Sequence, residues 1–223
     1  MIYMSNVMKA VFYKELQALK AKKSTFMFSI LSIAIFITGF NALFNKDQGF
    51  SIQNEIPVLQ IYMGITGFIL SLNFWTEKIS GSLEYVLSHR VSLRTFIVCK
   101  ITFNLVVGLV ALLCFTLVLA IFYPQALTSL GGAIVVYALL AFPYGLINGY
   151  TMTCCSRGVA TILQCISIVF IFSSVFLIRS ITNSSENTVF IYSIIIFIAL
   201  LWLIGLVMIL KATAEKAITT SVE

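Results

Sequence analysis

Charged side chains are rare in this chain, so the places where they gather carry most of its chemical information. Between Glu77 and Lys100 stand two carboxylates, Glu77 and Glu84, and four cations, Lys78, Arg90, Arg94 and Lys100. Ile79, Leu83, Val86 and Leu87 recur through the same stretch at helical spacing and leave the charges on another face. That pattern makes a short amphipathic helix whose chemistry is recognition. Leu83, Val86 and Leu87 are its expected apolar anchor. Glu77, Glu84, Arg90 and Arg94 are the expected rim charges that set partner choice and register. Gly81 permits a tight turn or a close backbone approach.

Bond-making chemistry is missing. His89 is the single histidine, and Cys99, Cys114, Cys154, Cys155 and Cys165 show no zinc-ligand spacing, so no metal centre is expected. The adjacent Cys154 and Cys155 would close only a strained ring, and all five thiols are expected to stay reduced and to behave as small apolar groups. No Ser/His/Asp or Cys/His constellation can be assembled around one histidine. No Walker-type glycine-rich loop occurs, so the chain is not expected to bind or hydrolyse a nucleotide by itself. It is read as a non-enzyme without a cofactor of its own.

The elements that must position the charged segment follow from composition. Of 223 residues 60% are hydrophobic and only 10% charged. Soluble domains carry about 25% charged residues, so this chain cannot cover a soluble surface. An all-α integral membrane protein is expected. Its net charge of +6 is read as juxtamembrane lysine and arginine, and no nucleic-acid partner is expected.

Six apolar blocks, each near the ~20 residues that a bilayer core requires, fall at 25–44, 56–75, 101–122, 131–152, 159–178 and 188–210. Lys9, Lys14, Lys20, Lys22, Lys23, Lys78, Arg90, Arg94, Lys100, Arg157, Lys211 and Lys216 then lie on one side of the membrane, with only Lys46 and Arg179 on the other. Both termini are therefore expected in the cytoplasm. The expected layout is one transmembrane domain over 1–223. An interfacial helix runs to 24, spans 1 and 2 fill 25–75, a coupling segment 76–100, spans 3 to 6 101–210, and a cytoplasmic tail 211–223.

In the first segment Met8, Val11, Phe12, Leu16 and Leu19 share one helical arc, with Lys9, Lys14, Lys20 and Lys23 outside it. This is the pattern of a helix lying on an anionic lipid surface. Glu15 falls inside the apolar arc, where it either snorkels to water or meets a cation of a docked protein. Among the spans, Gln60, Gly64, Gly67 and Ser71 form a polar-and-small stripe on the second, and Thr161, Gln164 and Ser167 form another on the fifth. Each stripe serves either helix packing within the chain or a conduit or subunit interface. Pro143 interrupts the fourth span's hydrogen-bond ladder, and Gly145 and Gly149 allow close helix approach. Span interiors carry essentially no charge, which disfavours an ion-driven pump.

Glu77, Gly81-Ser-Leu-Glu84, Val86-Leu87-Ser88, Val91-Ser92 and Lys100 together resemble the segment after the second span in ABC-2 type permeases, the membrane subunits of type V ABC exporters. Arg90 stands where that family usually has proline, and Cys99 where it usually has glycine. Tyr13-Lys-Glu-Leu16 is similar to the family's connecting helix, which gives Phe12, Glu15 and Leu16 that setting. The resemblance implies that residues 77–89 form a coupling helix seated in a cleft of a separate ATPase subunit present in two copies. It further implies a second permease chain, identical or related, with ATP and Mg held by the ATPase. The lack of a charge ladder or a large external domain favours a hydrophobic or amphipathic cargo: peptide, lipid or drug. Two other functions would use the same features: a membrane scaffold or regulator that transports nothing, and a small channel.

Overall fold

The computed structural model describes residues 2–21, 72–89, 91–122, 126–167, 169 and 187–220. Among these residues all regular structure is helical. In chain order the helices are α1 (Ile2–Ala21), α2 (72–79), α3 (Ser82–Ser88), α4 (Leu93–Phe122), α5 (Ala126–Cys154), α6 (157–167), α7 (Asn187–Lys211) and α8 (Ala214–Thr219). The first expected span, most of the second with its stripe Gln60, Gly64, Gly67 and Ser71, and Arg90 lie outside the described residues.

Within the described residues one helix, over Leu93–Cys114, is long and apolar enough to cross a membrane, and Ile195–Lys211 forms a shorter apolar helix. α4 begins well before the expected third span. Its start is set by Ser92, whose hydroxyl accepts the Thr95 backbone N–H at 3.1 Å and so satisfies one of the donors a helix start leaves open. The last long helix matches its expected span to within one residue at each end.

α5 is the centre of the fold, packing against α4, α7 and the short α8, while α1 lies along α4. Pro143 sits inside α5 without ending it. Proline lacks the N–H that would bond the carbonyl four residues back, which leaves Leu139 O without its helical donor. Trp202 of α7 supplies the replacement, its indole Nε1 donating to Leu139 O at 3.1 Å. The same indole stacks on Phe142, with ring centroids 5.5 Å apart. The proline thus becomes the docking point of α7. On the other side Gly149 lets α4 close in, because a Cβ there would stand 2.6 Å from Ile97 Cγ2.

The buried apolar cluster gathers where α2, α3 and the start of α4 meet the ends of α5 and α7, and includes Phe74, Leu83, Phe96, Ile97, Met152 and Ile209. The charged segment is built around this cluster.

Candidate functional site

α1 supplies two residues to the site. Its apolar arc faces the protein for part of its length: Val11 is buried, and Phe12 meets Phe103 edge-on at 5.1 Å. Glu15 shares that arc and is held against Lys100 Nζ at 3.4 Å. Its partner cation therefore belongs to this chain, which replaces both expectations for Glu15. Leu16, Met8 and Tyr13 remain on the exposed side.

Lys100 is only 2% exposed and lies between two carboxylates, Glu15 and Glu77, the latter at 2.5 Å. Glu77 also accepts from Lys14. Two lysines and two carboxylates thus form a neutral cluster joining α1, α2 and α4. The Phe74 and Phe96 rings stand 4.9 and 5.8 Å from the Lys100 ammonium. Their negative faces help hold the desolvated charge. Glu77, expected at a docking rim, is in this conformation the hub of an internal ion cluster.

The helix expected over 77–89 is broken. α2 ends at a turn in which Gly81 adopts φ 71°, a left-handed conformation that costs residues with a Cβ about 1–2 kcal/mol. A Cβ at Gly81 would meet nothing within 4 Å, so backbone conformation alone demands glycine there. Ser80 and Ser82 hydroxyls donate to Glu77 O at 3.2 and 3.3 Å, satisfying the carbonyl that α2 leaves open at its end. α3 then restarts with Tyr85 N–H donating to Gly81 O at 3.2 Å.

The turn rotates α3 so that its expected anchor faces inward. Leu83 is 3% exposed and belongs to the chain's own core, with Val86 and Leu87 half-buried against it. The outward face carries Tyr85, 68% exposed like Ile79 before the turn, together with Glu84, Ser88 and His89. Tyr85 and His89 pack ring to ring at 4.4 Å, and Ser88 Oγ donates to Tyr85 O at 2.7 Å. Sequence periodicity grouped Ile79 with the apolar residues of α3, but the left-handed Gly81 resets the helical phase, so Ile79 stays exposed while Leu83, Val86 and Leu87 pack on the chain's own core.

Two cations of the segment close helix ends. Lys78 Nζ donates to Thr153 O at 3.2 Å, Cys155 O at 3.1 Å and Thr220 Oγ1 at 2.9 Å. Burial pushes its pKa down. Arg94 donates to Leu210 O at 2.5 Å and Ala212 O at 3.2 Å. Each places positive charge at the negative, carbonyl-bearing end of a helix, α5 for Lys78 and α7 for Arg94. Arg94, expected at the rim, is thus engaged within the chain.

The second stripe divides. Thr161 is exposed and returns its hydroxyl to Arg157 O at 2.9 Å. Ser167 Oγ donates to Gln164 O at 2.8 Å, which leaves Tyr144 OH of α5 to donate to Ser167 Oγ at 3.0 Å. Among the described residues the buried amide nitrogens of Gln164 and Asn148 find no hydrogen-bond partner. All five cysteines are unpaired. Burial raises the pKa of Cys154 and of Cys155, which keeps both as thiols. Among the described residues no group of three or more His, Cys, Asp or Glu could hold a metal ion.

Comparison with known proteins leaves the chain on its own residues: no family model, curated protein or solved structure matches it.

Proposed function

We propose that this chain is the membrane subunit of an ATP-driven exporter, with six spans and both termini in the cytoplasm. In this proposal it sits in the plasma membrane, pairs with a second permease chain and binds two copies of a separate ATPase that hold ATP and Mg. The cargo is hydrophobic or amphipathic. The observation that carries the reading is the turn at Gly81. It holds α3 away from α2, seals the helix's inner side with Leu83, and leaves Ile79, Tyr85 and His89 for a partner.

The arrangement gives a path for force. A push on α3 passes through Leu83 and the turn to α2, where Glu77 is held by Lys100 of α4 and Lys14 of α1. Movement of the docking helix therefore drags an apolar helix of spanning length and the amphipathic helix beside it. Packed elements joined by a desolvated ion cluster move as a unit rather than deform gradually. The half-buried Gln164 and Ser167 remain candidates for a conduit wall, while Thr161 is exposed.

The test is isolation of the tagged chain from its native membrane. An ATP-hydrolysing subunit should copurify with it, and Tyr85→Asp should remove that subunit while the chain itself stays folded. Tyr85 is a cleaner position than Leu87, because Leu87 also packs against the core. A scaffold without transport would retain a partner but show no cargo-stimulated hydrolysis; a channel would conduct without nucleotide.

A further inference from the structure

Residues 212–220 read in the sequence as no more than a short tail, yet both cap cations of the charged segment reach into it. Lys78 ends on Thr220 Oγ1 at 2.9 Å, and Arg94 on Ala212 O at 3.2 Å. The tail is ordered from within as well: Thr213 caps α8 by accepting the Lys216 N–H, and Ala212 and Ala217 are each 2% exposed.

We propose that residues 212–220 are a latch, docked on Lys78 and Arg94, that fixes the position of segment 77–92 and frees it on release. An ammonium has three donors, and the three acceptors around Lys78 satisfy all of them. When the tail leaves, one N–H of a buried cation loses its partner, so Lys78 must move toward water or draw water inward. Lys78 adjoins Glu77 and lies three residues before the Gly81 turn. Its movement therefore shifts both the ion cluster and α3. The coupling is reciprocal: a partner that changes the position of α3 changes the docking of the tail by the same free energy. This inference stands on these contacts and holds whether or not the chain serves a transporter.

Hydrogen exchange of the full-length chain in lipid nanodiscs tests it. Thr220→Val removes one acceptor of Lys78 together with the hydroxyl's own bond to Lys216 O at the end of α8. Amides in both 212–220 and 80–92 should exchange faster by roughly five-fold, the population change that one net hydrogen bond carries. Thr220→Ser, which keeps the hydroxyl on Lys78, should leave both segments exchanging at the wild-type rate. The proposal is overturned if Thr220→Val accelerates only 212–220, or if Thr220→Ser accelerates 80–92 as much as Thr220→Val does.

Discussion

Two buried lysines, Lys78 and Lys100, solve the same problem in opposite ways. Lys100 is 2% exposed and meets carboxylates on two sides and aromatic rings at its ammonium. Lys78 is 7% exposed and, among the described residues, meets neutral oxygens, two carbonyls and a hydroxyl. The first arrangement brings three helices together around a neutral ion cluster. The second uses the negative end of a helix in place of a counter-charge, and leaves the cation desolvated without full Coulombic return. A charge held by charges makes a rigid joint, whereas a charge held by dipoles makes one that a small change can open. The molecule places the rigid joint toward α1 and α4 and the weaker one toward the tail.

The comparison breaks most visibly at Lys100. Lys100→Met leaves the largely buried Glu15 without a cation and Glu77 with Lys14 alone, and should destabilise the chain by about 3 kcal/mol. Adding Glu77→Gln to Lys100→Met should recover part of that loss, as thermal unfolding in detergent would register. If Lys100→Met unfolds at the wild-type temperature, the ion cluster does not hold these helices.

Lys78→Met should cost less, about 1–3 kcal/mol, because it leaves buried acceptors rather than charges unpaired. pH separates the two lysines further. The folded pKa of Lys78 lies below its ordinary 10.5, so between those two values the unfolded chain binds the additional proton. Stability from this group therefore rises as pH climbs through that window and is level below it. A wild-type chain should show the rise and Lys78→Met should lack it; equal pH profiles would mean that Lys78 is solvated.

Gly81→Ala places a Cβ in the left-handed region with open space around it, so its cost is conformational, about 1–2 kcal/mol. Gly81→Asn, which tolerates that conformation, should cost less. Equal losses for the two variants would point to packing instead of backbone. Arg94→Gln is the smallest change, about 0.3–1 kcal/mol, since Arg94 is the exposed counterpart of Lys78 at the end of α7. The same thermal unfolding series measures it, and a loss as large as that of Lys78→Met would mean that the two caps are equally buried.

What the sequence disclosed was local. Gly81 announced its turn, Pro143 its broken ladder, and the apolar residues of α3 their helical period. Glu15 left two readings open in the sequence, a snorkel to water or a cation of a docked protein, and the structure gives a third, Lys100 of the same chain. The sense in which α3 faces was hidden, because periodicity fixes which residues share a face and not which side the face is on. Lys78 was hidden for a different reason. Its acceptors lie 75 to 142 residues away, and two of them are backbone carbonyls, which carry no residue signature. Trp202 was hidden likewise, although the carbonyl that Pro143 frees required a donor from somewhere.

The central proposal is that α3 is the docking helix of an ATP-driven membrane subunit, presented through Tyr85, with Ile79 at the end of α2 beside it. The direct measurement compares wild type with Tyr85→Asp after isolation from the native membrane, scoring the copurifying subunit and its ATP hydrolysis. Wild type should carry an ATPase, and Tyr85→Asp should lose it while its thermal unfolding stays unchanged. A wild-type chain that purifies without ATP hydrolysis, or a Tyr85→Asp chain that keeps full assembly and full turnover, would contradict the account.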